Sequence, residues 1–258
     1  MNKVIRAEFG RTINAGLIIA IAGIIFSICF DSFNDLIAGL RNGQGYVGYF
    51  FSNAAFGGMC THYMLPVFTA LPFSVSLCQE RNNKAVSYIV SREGKNRYIF
   101  AKFIVSAISG GFVAACGTVL LFLMLAMRFP IAGDEFEGAV VSDYFHEWSA
   151  VYYPQLYILT LSILAFCRGV IWSSLALCVS LYTSDFMVVL LSPFLGSYVL
   201  VRIFQIIRVP DMVRPDMILI GQVVIKSSGL TLIIAIAISL TIVTLIGCLL
   251  YTSPSPRD

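Results

Sequence analysis

His62 and His146 are the only imidazoles in this 258-residue chain. No HExxH sets two histidines one helical turn apart, so the ligands of a zinc hydrolase are missing. No GxxxxGK[ST] loop occurs to cradle phosphates, so the chain has no visible means of hydrolysing ATP itself. No GxSxG turn presents a serine to a histidine base. The seven cysteines (Cys29, Cys60, Cys78, Cys116, Cys167, Cys178 and Cys248) form neither a CxxC pair nor a His–Cys cluster. They read as small apolar packing residues, with no metal site. The chain is expected not to be an enzyme and to bind no cofactor of its own.

What remains is polar chemistry inside apolar sequence. Arg168 stands in the middle of LAFCRGVIW. A cation there must face a protein interior, a watery cavity or a partner. Two roles fit: contact with an anionic substrate, or pairing with a carbonyl or carboxylate that ties two helices together. His62 has the same pair of roles, pathway contact or packing through a hydrogen bond to a neighbouring helix. Ion-coupled carriers usually place carboxylates inside their spans. Here the candidate is Asp185, at a short turn between apolar runs, which argues against a proton-coupled carrier.

These residues sit in a chain that is 58% hydrophobic and 12% charged, with a mean hydropathy of +0.85. A soluble domain is about one quarter charged, so the composition points to an integral membrane protein. The net charge of +3 is small and unevenly spread, which disfavours nucleic acid as a partner. A helix needs about 20 apolar residues to cross a bilayer core. Six runs qualify, at 13–30, 59–78, 103–127, 155–182, 186–207 and 229–250. The expected fold is an all-α membrane protein with six transmembrane helices in one domain, 1–250. Pro66, Pro72 and Pro193 fall inside these runs and should kink them, for a gate or for static packing.

Before the first run, MNKVIRAEFGRT puts Val4, Ile5 and Phe9 on one helical face and Lys3, Arg6, Glu8 and Arg11 where water can reach them. It reads as an amphipathic helix in the membrane interface, the other option being a frayed basic terminus. The 31–58 loop is rich in glycine, asparagine and aromatics from Tyr46 to Phe56, suited to interfacial anchoring or to binding. Orientation follows from charge. The N-terminal segment and the 79–102 loop carry most of the basic residues. The 128–154 loop carries five acids (Asp134, Glu135, Glu137, Asp143 and Glu147). Lys and Arg favour the cytoplasmic side, so the N-terminus is expected there. The 202–226 segment breaks the pattern with Arg202, Arg208, Arg214 and Lys226; being half apolar, it is expected to dip back into the membrane surface.

The richest stretch is QERNNKAVSYIVSREGKNRYIFAK, 79–102. It sets Arg81, Lys84, Arg92, Lys95, Arg97 and Lys102 against Glu80 and Glu93, around an apolar centre at Ala85, Val86, Tyr88, Ile89 and Val90. It suits a docking surface for a cytoplasmic partner, or a topology-setting segment lying on anionic lipid. The tail 251–258, YTSPSPRD, breaks a membrane run with two prolines. It resembles translated adapter read-through and is expected to be non-native, the other option being a short polar cytoplasmic tail.

The layout resembles an ABC-2-type transporter permease. Glu80 fits that family's loop acid, Ser87 to Val90 with Ser91-Arg92 fit its short helix and turn, and Gly94, Arg97, Tyr98 and Lys102 fit its lead into the third span. Lys84-Ala85 departs from the Gly-Thr that many members carry there. The resemblance implies the membrane subunit of a bacterial exporter in the cytoplasmic membrane. A separate ABC ATPase, holding ATP and Mg, would dock on Glu80, Arg81, Lys84, Tyr88, Arg92, Glu93, Gly94, Arg97 and Lys102. A second permease copy or a related permease would complete the pathway, with lipid around it. It implies an antimicrobial peptide, another peptide or a lipid as substrate. The rival is a non-transporting membrane scaffold or sensor that recruits a cytoplasmic partner through the same loop.

Overall fold

A computed structural model of the chain describes residues 2–42, 47, 50–51, 58–131, 153–223 and 225–252. It is all-helical, with no strand among the described residues. His146, the acidic loop residues Asp134 to Glu147 and the tail beyond Thr252 lie outside the described residues.

Helix α1 (Asn2–Thr12) is followed by α2 (Ala15–Asp31) and α3 (Phe33–Asn42). Asn14 starts α2 by accepting the Leu17 N–H at 3.1 Å, the usual use of a short polar side chain at a helix start. The Asp31 carboxylate then accepts the N–H groups of Cys60 and Thr61 at 2.9 and 2.6 Å. Those are the first free donors of α4 (Met59–Ala70), so the end of one apolar helix fixes the start of the next. Three short steps follow: α5 (Ser76–Asn82), α6 (Ala85–Glu93) and the start of the 32-residue α7 (Lys95–Ala126). The chain closes with α8 (Pro154–Tyr182), α9 (Phe186–Ile207), a 3-10 turn (Asp211–Val213), α10 (Pro215–Ile220) and α11 (Ser228–Thr252).

Among the described residues, four helical stretches are long and apolar enough to cross a membrane: Asn96–Ala126, Gln155–Tyr182, Phe186–Ile207 and Ser228–Leu250. Only 22% of the Phe186–Ile207 window and 17% of the Ser228–Leu250 window is buried within the chain. Side chains such as Leu195, Ile206, Ile233 and Leu240 stand outward. Surfaces this apolar need lipid or another apolar partner, the pattern of a multi-pass membrane protein.

Two of the six expected spans are not single long helices. The first run forms the 17-residue α2 and bends by 71° into α3. The second stops at Ala70, and residues 71–75 turn before α5. Pro72 has no N–H to give the Phe68 carbonyl, which accepts from Leu71 N–H instead, at 3.3 Å. Pro66 lies inside α4 and Pro193 inside α9, and both helices continue through them.

The core lies where α7 crosses α8. Gly110 and Gly169 meet there, and a Cβ on Gly169 would fall 2.9 Å from the Gly111 Cα. Small residues let membrane helices approach to backbone contact. Beside them the Ser74 hydroxyl meets Ser106 Oγ at 2.9 Å and donates to the Ser173 carbonyl at 3.0 Å. Phe50 and Phe51, expected among the interfacial aromatics, are buried in the core against Phe129 and Phe122.

Candidate functional site

The 79–102 loop is a folded unit. α6 lies between Lys84, in the left-handed region at φ 55°, and Gly94 at φ 82°. Val86, Ile89 and Val90 pack inward with Ile99 and Phe103 against Leu77, Tyr98, Leu177 and Leu181. The apolar centre thus covers the end of α8. Arg81 donates to the Leu181 carbonyl at 2.8 Å and Asn82 to the Ser184 carbonyl at 3.3 Å. The first occupies a carbonyl that the last turn of α8 leaves without a partner and the second one in the link to α9, so Arg81 acts as a strut between α5 and α8.

Beneath this unit is a buried ion cluster. Lys102 is 1% exposed. Its ammonium reaches Glu80 at 2.8 Å, Glu8 at 3.0 Å and Ser76 Oγ at 3.1 Å, and lies 4.8 Å from the centre of the Phe73 ring. Glu80 also accepts from the Tyr98 hydroxyl and from Arg11. Glu8 was expected to face water with the other polar residues of α1; it is buried because its carboxylate answers Lys102. The cluster ties α1 to α5 and α7.

The loop's docking candidates therefore divide. Glu80 and Lys102 point inward, beside the buried Tyr98. Lys84, Tyr88, Gly94 and Arg97 are exposed, Tyr88 at 77%. Arg92 and Glu93 belong to α6, and their side chains lie outside what is described. A left-handed lysine is costly because its Cβ crowds the backbone, at roughly 1–2 kcal/mol. Lys84→Gly should therefore raise stability by about 1 kcal/mol, read as a higher thermal midpoint in detergent.

A second polar site lies at the middle of α8. Arg168 and His62 come together there, lining a cavity of about 290 Å³ with Gln205, Arg214, Asp216 and Gln222. Within the 202–226 segment, expected to dip back into the membrane surface, α10 packs against the bundle, with Ile218, Leu219 and Ile220 buried in the main core. Its Arg214 grips the Asp216 carboxylate at 2.7 and 3.3 Å and reaches Asp211 at 3.2 Å. The hydrogen bond that it donates to the Asp216 carboxylate holds the Arg214 guanidinium's pKa above its ordinary value. His62 stands edge-on to Tyr63, ring centres 4.8 Å apart, and its buried Nε2 has no hydrogen-bond partner among the described residues. Arg168 is 7% exposed and has neither a hydrogen bond nor an ion pair among the described residues. Asp185 plays a different part: its carboxylate caps α9 by accepting the Met187 N–H at 2.9 Å. Sequence reasoning singled out Arg168 and His62 but missed Arg214, Asp216, Gln205 and Gln222, whose only signal was polarity in a half-apolar segment.

Comparison with protein-family models, with curated proteins and with solved structures gave no match.

Proposed function

We propose that the chain is the membrane-spanning permease subunit of an ATP-binding-cassette exporter of the ABC-2 type, in a bacterial cytoplasmic membrane with its N-terminus inside. On this proposal α2 and the broken α4–α5 segment supply two further crossings beside the four long helices, for six in all. A separate ATPase subunit binds ATP and Mg, and a second permease copy or a related permease completes the pathway.

The observation that carries the reading is the geometry of the 79–102 unit. It is a short helix packed against the ends of α7 and α8, with its apolar side inward and Tyr88, with the flanking Lys84 and Arg97, outward. Such a face can seat an aromatic anchor in a groove and set its register with charge. Because α6 packs on α7 and α8 and the preceding α5 is tied to α8 by Arg81 and to α1 and α7 through Glu80 and Lys102, a push on this unit moves the helices as a body. Lys84 adds support: the position where the resembled family commonly has glycine is one at which this backbone adopts a positive φ.

The test uses the chain co-expressed with its ATPase. Tyr88→Ala combined with Arg97→Glu should weaken ATPase binding at least tenfold while membrane level and thermal midpoint stay unchanged, since both side chains are exposed. Equal affinity in the double variant would remove the docking face. A partner that binds there without hydrolysing ATP would favour the scaffold or sensor.

A further inference from the structure

The cavity at Arg168 holds an imbalance that the docking unit does not explain. Its walls come from α4, α8, α9 and α10. Two of its lining residues are cationic, Arg168 and Arg214, and one is anionic, Asp216. Arg214 is already satisfied by Asp216 and Asp211. That leaves the Arg168 guanidinium buried with no counter-charge among the described residues. An isolated buried cation is strongly disfavoured unless an anion answers it.

The rest of the lining fits such an anion. His62 has an unpartnered Nε2, which donates in the tautomer that carries the proton there. Gln205 and Gln222 bring further amide donors. Met59, Val201, Met217 and Ile220 supply apolar wall on which an attached chain can lie. The volume is at the small end of ligand pockets, which start at roughly 300 Å³. A second negative charge would face Asp216.

We propose that this cavity is an anion site that takes one singly charged oxyanion, a phosphodiester or phosphate group, on Arg168, with His62 and the two glutamines as supporting donors. The group has two sources, the headgroup of an acidic lipid or a free phosphate in water. The site stands on its own geometry and holds whether or not an ATPase drives the chain.

The test is native mass spectrometry of the full chain in an uncharged detergent, titrated with short-chain phosphatidylglycerol, with diacylglycerol of the same chain length, and with inorganic phosphate. The wild type should bind one phosphatidylglycerol saturably and no diacylglycerol. Arg168→Gln should raise the apparent Kd at least tenfold. Gln222→Glu, which keeps its shape but sets a carboxylate in the lining, should raise it comparably, and it serves as the independent variant if Arg168→Gln folds poorly. Arg6→Gln, an exposed cation on α1, should change nothing. Displacement of the lipid by millimolar phosphate would place recognition in the phosphate alone. Binding of phosphatidylglycerol without competition would assign the site to a lipid headgroup, and binding of phosphate alone to a free anion. No saturable binding of either, or binding indifferent to both cavity variants, overturns the proposal.

Discussion

Lys102→Met is expected to destabilise the protein by about 3 kcal/mol, at the lower end of what removing one partner of a buried ion pair does. The ammonium is the fully buried counter-charge of Glu8 and Glu80, 3.0 and 2.8 Å away. Without it two carboxylates remain in a site closed by Phe73 and Tyr98. Arg11 still touches both acids, but its side chain is 55% exposed, so it offsets only part of the loss. The thermal midpoint in detergent should fall by roughly 10 °C. The triple variant Glu8→Gln, Glu80→Gln and Lys102→Met should recover most of that fall, because no buried ion is then left unpaired and Arg11, 55% exposed, is solvated by water. An unchanged midpoint in Lys102→Met would mean that the cluster does not hold α1 in place. The same logic applies to Glu80→Ala: it should loosen α1 from α7 before it affects any partner.

Gly169→Val should do at least as much damage by a different route. At the α7–α8 crossing a Cβ on Gly169 runs into the Gly110 carbonyl oxygen and lies 2.9 Å from both the Gly110 carbonyl carbon and the Gly111 Cα. All three are backbone atoms, so no rotamer change relieves the clash and the helices must part. Overpacking a fitted interface costs about 1–3 kcal/mol, occasionally more. The upper end is expected here, because Ser74 and Ser106 lose their shared acceptor at Ser173 when the helices separate. Folded yield and thermal midpoint read the effect. Gly10→Val, at an exposed α1 position where a Cβ meets nothing within 4 Å, should lower the midpoint by far less.

Apolar run length made the long helices legible, because hydropathy reports directly how much of a segment can live without water. It could not say that the 59–78 run breaks. Pro72 was visible, but a proline inside an apolar run gives either a kink or a stop, and the outcome rests on which neighbours take up the freed carbonyls. The 79–102 loop was legible as a docking candidate from its mix of basic and apolar residues. Which side faced out was not. Glu8 and Lys102 are far apart in the chain, and no local pattern ties an acid on α1 to a lysine on α7. Arg168 declared itself because a cation in the middle of an apolar run demands an explanation. Its surroundings did not, since Arg214 and Asp216 come to line the same cavity only through the tertiary fold. Gly110 and Gly169 went unremarked because close approach is a property of two helices together.

The most direct test of the permease assignment begins with the DNA on either side of this reading frame. A neighbouring frame that carries GxxxxGK[ST] is to be co-expressed with the tagged chain, and ATP hydrolysis measured for the ATPase alone and in complex. The expected result is a stable complex whose ATP turnover differs from that of the free ATPase at least twofold, with the difference abolished by Tyr88→Ala and Arg97→Glu together. A folded chain that forms no complex with the ATPase, or leaves its turnover untouched, would contradict the assignment and favour a scaffold or sensor.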